Sequence, residues 1–99
     1  MIHVEDLALA ERKQALAISK ALTYCRTRIE QGERDAMKLI GEMAEILDQQ
    51  PNIEIDYVAL VNAHTLDDLK RLRGDVLAAI AAKVGTTRLI DNARFEGID

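Results

Sequence analysis

The segment that most constrains the fold of this chain runs from Val76 to Asn92, where two apolar runs flank the pair Gly85-Thr86. Glycine accepts the positive φ that a type II′ turn needs at its first central position, so the pair predicts a two-residue hairpin loop. The strands on either side are then Val76–Val84 and a short partner, Thr87–Asp91. A two-residue connection is too short for a crossover, so these strands must pair antiparallel.

The first of these strands is ambiguous from its residues alone. Val76–Val84 contains four alanines, and intrinsic propensity therefore favours a helix. The run is short, has no polar residue before Lys83 and lies between Gly74 and Gly85, which instead favours a buried central strand.

Two helices are predicted in the first half of the chain. Apolar residues recur at spacings of three and four from about Leu7 to Gln31, and Gly32 is placed to end that helix in the left-handed conformation. Asp35 is the predicted N-cap of a second helix, Ala36–Gln49, which Gln50-Pro51 ends. Because the link is only a few residues, the helices are expected to be antiparallel neighbours.

The hydrophobic period changes from 3.6 to two after the second helix. Ile53–Val61 is predicted to be a strand in which Ile53, Ile55 and Tyr57 share one face and whose end is buried on both faces. The segment 65–68 reads as a short helix start, with Thr and Asp three residues apart. Residues 1–6 are predicted to be a lead-in and residues 94–99 a tail.

Length, charge and cysteine content exclude several classes of protein. A chain of 99 residues is one domain by length, and its net charge of −4 gives no broad basic face for nucleic acid. The longest apolar run, Val76–Ala82, is too short to cross a membrane. Cys25 is the single cysteine, so no internal disulfide is possible and a cytoplasmic setting is expected.

Candidate catalytic and metal-binding residues are few. The two histidines, His3 and His64, have no cysteine, histidine or carboxylate at a spacing typical of a metal site, so both are interpreted as surface or loop residues. Cys25 lies on the apolar stripe of the first helix and is interpreted as a buried thiol rather than a nucleophile. We therefore predict no catalytic residue and no metal site in this chain.

Anion-binding candidates are also weak. The five glycines form no phosphate-binding loop. The basic residues of segment 70–73 are flanked by aspartates, which favours a solvated turn over an anion site. Arg88 and Asp91 are the least ordinary polar residues, because they interrupt an apolar strand. They either lie at a sheet edge or bond across the sheet, or one of them faces a partner domain or a bound anion.

Several short motifs follow one another between about Leu7 and Asn92. They are the segments Glu11–Ala15, Ser19–Leu22, Gly32–Asp35, Ile55–Val58, Thr65-Leu66 and Thr87–Asn92. In this order and spacing they resemble the C-terminal domain of the pantothenate synthetase (pantoate–β-alanine ligase) family. Asn62 stands where that family usually has an aspartate.

The resemblance implies a fold. In the family the apolar run before the glycine is a strand, so the expected class is α+β, with two antiparallel helices packed on a three-stranded antiparallel sheet. Residues 1–99 would form a single lid-like domain, and the family's N-terminal Rossmann-type catalytic domain, with its HxGH and Ser-Arg-Asn motifs, is absent from this sequence.

The resemblance also implies a function. The family's enzyme is an ATP-dependent, AMP-forming ligase that joins pantoate to β-alanine through a pantoyl adenylate, uses Mg²⁺ and is expected to be a homodimer. This chain would be its lid, partnered by the catalytic domain, without tightly bound cofactor and inactive alone, with Arg88 and Asp91 as candidate lid residues near the nucleotide. The alternative is a free-standing protein-interaction module with the same fold.

Overall fold

The computed structural model describes residues 9–51 and 53–99 of the chain. Two helices, α1 (Leu9–Glu30) and α2 (Ala36–Asp48), precede three strands, β1 (Ile53–Asn62), β2 (Gly74–Val84) and β3 (Thr87–Ile98). The strands form one antiparallel sheet in the order β1-β2-β3. The predicted α+β class is confirmed, whereas the predicted lead-in over residues 1–6 lies outside the described residues.

The caps at the end of α1 and at the start of α2 are the ones that the sequence predicts. Gly32 has a φ of +102° and donates its N–H to the carbonyl of Ile29 at 3.0 Å, which caps the C-terminus of α1. Asp35 has an extended backbone, and its carboxylate accepts the N–H of Lys38 at 3.2 Å, which caps the N-terminus of α2.

The contacts between the helices show that they are antiparallel. Arg28, near the end of α1, binds Glu42 in the middle of α2, with 3.2 Å between Nε and Oε1. Gln14, near the start of α1, donates its side-chain amide to the carbonyl of Pro51, just beyond α2. Residues early in one helix therefore contact residues late in the other.

The loop between β2 and β3 is the predicted two-residue turn. Val84 pairs with Thr87, Gly85 has a φ of +61°, and Thr86 keeps a negative φ. A positive φ at the first central position alone is the type II′ pattern, which matches the right-handed twist of the flanking strands.

The central strand β2 is extended in spite of its alanines. The side chains that it directs toward the helices are all 0% exposed, and they form the middle of the hydrophobic core. Hydrogen bonding on both edges and burial against two helices override the helix propensity of alanine in this position. The buried residues of β2 on this face are Val76, Ala78, Ile80, Ala82 and Val84.

The prediction for β3 was too short. The strand continues through residues 94–98, which were predicted to be a tail, because Ala93 and Phe95 continue the alternation toward the core. Phe95 pairs with Val76 and is only 8% exposed. The burial of this one aromatic ring keeps the C-terminal segment in the sheet.

The predicted helix start at 65–68 was wrong. The side-chain oxygen of Asn62 accepts the N–H groups of His64 and Thr65, at 2.8 and 3.0 Å, which makes a tight turn instead. Leu66 then adopts a φ of +63°, and Asp68 pairs with Val61 as an isolated bridge. A left-handed residue interrupts a helix, so this segment remains a loop.

The prediction for β1 was wrong in two respects. A bulge between Ile55 and Tyr57 leaves Asp56 unpaired, so Tyr57 faces away from Ile55 instead of sharing its face. The end of the strand is not buried on both faces: within β1 only Leu60 is classed as buried. β1 is an edge strand, and the helices cover one of its faces.

Candidate functional site

The sheet has one apolar face that the described helices do not cover. Tyr57, Ala81 and Ile90 pair in register across the three strands on this side. Tyr57 is 42% and Ile90 is 53% exposed, whereas Ala81 between them is buried although it is not part of the core cluster. We call this side of the sheet the open face. Glu54, Lys83 and Arg88 lie at its hairpin end and Arg94 at the other. Its middle comprises Tyr57, Ala59, Val61, Leu77, Ala79, Ala81, Ile90 and Asn92.

The hairpin end of the open face carries paired charges. Glu54, Lys83 and Arg88 lie in register across the strands, and the bulged Asp56 lies beside them. The Nε of Arg88 is 2.9 Å from Oδ2 of Asp56. Two acids and two bases therefore balance at this end of the sheet.

The opposite end is organised around the carboxylate of Asp75. Its Oδ2 is 2.8 Å from Nε2 of His64 and 3.7 Å from a guanidinium nitrogen of Arg94, and its Oδ1 accepts the N–H of Gly97 at 3.1 Å. The hydrogen bond with His64 is the largest cause, and the one from Gly97 the second, of a pKa of Asp75 that lies below its ordinary value. This carboxylate joins the β1–β2 loop to the end of β3.

The structure places the two candidate lid residues on opposite faces of β3. Arg88 is exposed at the hairpin end of the open face and bonds across the sheet to Asp56. Asp91 pairs with Ile80 on the helix-facing side, is half-buried, and its Oδ1 accepts the N–H of Asn92 at 2.9 Å. The fold does not bring them together, and their contact with a nucleotide stays a prediction.

The basic segment 70–73 is tied down by its backbone. The carbonyl of Lys70 accepts the N–H of Ala36 at 3.1 Å, and Leu72 donates to the carbonyl of Arg34 at 2.8 Å. The basic side chains of the segment are exposed. This arrangement agrees with the interpretation of a solvated turn, and it connects the β1–β2 loop to the α1–α2 link.

The single thiol is buried, as predicted. Cys25 is 0% exposed, and burial, together with the nearby charge of Glu42, raises the pKa of its thiol to about 11. His64 is 64% exposed at its side chain, which agrees with a loop histidine, and His3 lies outside the described residues.

A groove of about 810 Å³ lies between α1 and the end of α2. Apolar, hydroxyl and amide side chains line it, and Lys20 is the one charged group among the described side chains there. Among residues 9–51 and 53–99 there is no cluster of three metal-ligating side chains. No helix in the same part of the chain is long and apolar enough to cross a membrane.

Sequence reasoning missed the open face and did not identify Asp56 as the partner of Arg88, although a bond of Arg88 across the sheet was one of the alternatives it gave. The alternation in β3 places Arg88, Ile90, Asn92 and Arg94 on the side that faces away from the core. A single isoleucine in that polar series is common on protein surfaces and does not by itself indicate an uncovered apolar surface. The ion pair of Asp56 with Arg88 could not be predicted from the alternation of residues, because it depends on the bulge in β1.

Comparison with known proteins gives a consistent match over most of the chain. The family model of pantoate-beta-alanine ligase matches residues 5–94. The chain is 42% identical over 90 residues to the pantothenate synthetase of Acetivibrio thermocellus, which covers 91% of this chain, and 44% identical over 82 residues to that of Fervidobacterium nodosum, which covers 83%. The crystal structure of pantothenate synthetase from Thermus thermophilus superposes on 88% of the chain with a TM-score of 0.80 and 29% identity.

The chain spans about a third of the length of these relatives. The matched part is 32% of the Acetivibrio protein, 29% of the Fervidobacterium protein and 31% of the Thermus chain. The family model, which ends at residue 94, extends through α2, β1 and β2 into β3. This chain therefore belongs to the pantoate–β-alanine ligase family.

Proposed function

We propose that this chain is the C-terminal domain of a ligase that joins pantoate to β-alanine with the use of ATP. The observation that carries the proposal is the joint match in sequence and fold to about 31% of a pantothenate synthetase chain. The relatives' names state the product, pantothenate. The remaining two-thirds of such a ligase would supply the reacting groups.

The role that we propose for this domain is that of a lid. A domain that closes over a reaction site excludes water, which would otherwise hydrolyse an activated acid before the amine attacks it. Such a lid needs a rigid fold and a surface that can be covered, rather than acids or bases of its own. The buried core and the open face supply these two features.

We propose that this domain does not bind ATP or Mg²⁺ tightly by itself. Arg88 is held by Asp56 at 2.9 Å, and Glu54 lies in register with Lys83, so the hairpin end offers no net positive charge to a triphosphate. We therefore assign nucleotide and metal binding to the rest of the ligase, and we propose that the isolated chain makes no pantothenate.

A chimera tests the proposed function. In the Thermus thermophilus enzyme, this chain replaces the matched C-terminal segment, and the same enzyme truncated before that segment is the control. We expect the chimera to regain pantothenate formation and to couple each AMP released to one pantothenate. The truncated enzyme is expected to release AMP without product, or to be inactive.

Two results would contradict the proposal. A folded chimera, identified by a cooperative thermal transition, that forms no more pantothenate than the truncated enzyme would reject the family activity for this domain. Pantothenate made by the pure 99-residue chain would show that the domain is not only a lid.

The second candidate function is a free-standing interaction module. The exposed apolar side chains of Tyr57 and Ile90 favour it, because an apolar patch exposed on a protein that has no further domain marks a surface that binds a partner. In that case the chimera stays inactive, while the open face still binds a partner.

A further inference from the structure

The two edges of the sheet are protected from further pairing in different ways. The second half of β1 is covered by the loop that follows it, since Leu69 donates to the carbonyl of Leu60 at 3.1 Å and Asn62 donates to that of Asp67 at 2.9 Å. The bulge after Ile55 interrupts the first half. Covering loops and bulges are two of the means by which proteins protect an edge strand. The free edge of β1 is therefore short and irregular.

The edge at β3 is long and regular. β3 has 12 residues, and its pairing with β2 keeps one register from Thr87 to Phe95. A two-residue turn closes with a hydrogen bond between its flanking residues, here Val84 and Thr87, and bonded and non-bonded pairs then alternate along the antiparallel ladder. Every second residue of β3 therefore directs its N–H and carbonyl away from β2, into the row to which a further strand bonds. These residues are Arg88, Ile90, Asn92 and Arg94.

A single side chain obstructs the middle of this row. Oδ1 of Asp91 accepts the N–H of Asn92 at 2.9 Å, so the central outward-pointing donor is already bonded within its own strand. Asp91 itself pairs with Ile80, is half-buried and lies on the side of the helices. An acid that points inward from an edge strand opposes pairing, because a second strand would remove more water from its charge. Asp91 thus acts on this edge through its hydrogen bond and through its charge.

The charges along β3 favour one register with a second copy of the same strand. In an antiparallel pair with Asn92 opposite Asn92 of the second copy, Arg88 lies opposite Glu96 at both ends. A register centred on Asp91 instead brings Arg88 opposite Arg94, where like charges repel. The register centred on Asn92 is therefore the one in which β3 is complementary to itself, and a second copy of this chain is the partner that fits this edge.

That register requires the groups that Asp91 blocks. Its centre is a pair of hydrogen bonds between the two copies of Asn92, whose N–H groups are both held by Asp91. The two Asp91 side chains would also be diagonal neighbours, roughly 7–8 Å apart on the helix side, where their charges repel. Arg88 and Glu96 are each in an exposed ion pair within the chain, and such pairs exchange at little cost. The carboxylate of Asp91 is thus the main obstacle to pairing.

We infer that the free edge of β3 is a latent pairing surface for a second copy of this chain, and that Asp91 keeps it closed. This role is independent of the proposed function, because it involves only the strand and its own side chains. It also explains why an acid stands between Leu89 and Ala93 on the side of the core, where the alternation calls for an apolar residue.

Sedimentation equilibrium of the 99-residue chain tests the inference. Wild type is expected to be a monomer at about 100 μM, whereas Asp91→Ala, which frees the N–H of Asn92 and removes the repulsion, should dimerise with a dissociation constant at least about tenfold lower. Asp91→Thr, whose side chain favours a strand, is made alongside it and should behave in the same way. The matched control is Asp48→Ala, which removes one exposed carboxylate from the end of α2 and should stay monomeric.

Charge reversal identifies the surface through which the variants associate. In Asp91→Ala, the further change Arg88→Glu places an acid opposite Glu96 of the second copy at both ends, so it should weaken the dimer about tenfold. Adding Glu96→Arg restores opposite charges and should restore the dimer, although the ion pair of Arg88 with Asp56 stays broken. A dimer formed through another surface would not recover in this way.

Four results would overturn the inference, each read on variants that show a cooperative thermal transition. Folded Asp91→Ala and Asp91→Thr that stay monomeric, or a wild type that dimerises as tightly as they do, would remove the blocking role of Asp91. Equal association of Asp48→Ala would assign the effect to net charge. A dimer of Asp91→Ala that neither the reversal at Arg88 nor the exchange with Glu96 affects would place the contact outside β3.

Discussion

The guanidinium of Arg88 on β3 lies 2.9 Å from the carboxylate of Asp56 on β1, so one ion pair spans the central strand of the sheet. The contact exists because a bulge leaves Asp56 outside the regular pairing of β1 with β2. Lys83 lies in register with Arg88 on β3 and with Glu54 on β1. The charge balance of the hairpin end thus depends on one irregular residue in β1.

This ion pair is expected to contribute little to stability. Both side chains are largely exposed, at 58% for Arg88 and 46% for Asp56, and exposed pairs are worth about 0.2–1 kcal/mol. A double-mutant cycle with Arg88→Ala and Asp56→Ala, followed by urea denaturation, measures the coupling, which should shrink further in about 0.5 M salt because of screening. A coupling above about 2 kcal/mol would mean that the pair is structural.

Two isoleucines that face opposite sides of the sheet should differ strongly in their effect on folding. Ile80 is 0% exposed in the core, so Ile80→Ala is expected to lower the free energy of unfolding by about 2–5 kcal/mol. Ile90 is 53% exposed on the open face, so Ile90→Ala should cost about 1 kcal/mol or less. Urea denaturation of the two variants gives the comparison. A loss of more than about 2 kcal/mol for Ile90→Ala would show that the open face is covered in the isolated chain.

Elements governed by local chemistry could be predicted from the sequence. The caps of α1 and α2, at Gly32 and Asp35, follow from residue types at fixed positions relative to the helix. The hairpin at Gly85 follows from the conformational freedom of one residue. The buried stripes of both helices follow from the 3.6-residue period. Each of these signals is complete within a few residues of the chain.

Features that depend on register could not be predicted in this way. The alternation of Ile53, Ile55 and Tyr57 indicates one shared face, but the bulge moves Tyr57 to the open face. A one-residue shift reverses every following side chain, and no residue type in the segment requires a bulge there. For β2 the residues alone were ambiguous, because the alanines favour a helix and the flanking glycines favour a short buried strand. The prediction of a strand came from the resemblance to a family. The placement of Arg88 and Asp91 on different faces depends on the same register.

Two glycines should respond in opposite directions to the same substitution. Gly85 has a φ of +61° in the hairpin turn, where a Cβ is strained, so Gly85→Ala is expected to destabilise the protein by about 1–2 kcal/mol. Gly41 lies inside α2, and a Cβ there would meet nothing within 4 Å, so Gly41→Ala should stabilise it by about 0.5–1 kcal/mol. Thermal denaturation followed by circular dichroism separates the two. A stabilising Gly85→Ala would contradict the type II′ turn.

The carboxylate of Asp75 is expected to contribute to the free energy of unfolding at neutral pH and to lose that contribution in acid. Its folded pKa is lowered by the hydrogen bond from His64, then by that from Gly97, with Arg94 also nearby, so the unfolded chain binds more protons as the pH falls. The contribution is complete above the ordinary value of 3.8 and is lost as the pH falls through the lower folded pKa. The stability difference between wild type and Asp75→Asn should therefore be largest at neutral pH and shrink below about pH 4.

Urea denaturation between about pH 2.5 and pH 7 measures that difference. Glu96→Gln is the matched control, because this acid lies at the same end of the sheet and its side chain is 72% exposed. The difference in the free energy of unfolding between wild type and Glu96→Gln should change little over the same pH range. If the free energies of unfolding of Asp75→Asn and wild type differ by the same amount at every pH, the hydrogen bonds of the Asp75 carboxylate do not contribute to folding.

The thiol of Cys25 should react only when the protein unfolds. Its side chain, on α1, is 0% exposed, and its pKa is raised to about 11, so at pH 8 the native protein holds almost no accessible thiolate. Labelling with a chromogenic disulfide reagent at pH 8 is therefore expected to be slow in buffer and complete within minutes in concentrated urea. Ile90→Cys provides the exposed reference in the same chain. Rapid labelling of wild-type Cys25 without denaturant would show that the helix layer opens readily, and a lid built on it would not exclude water.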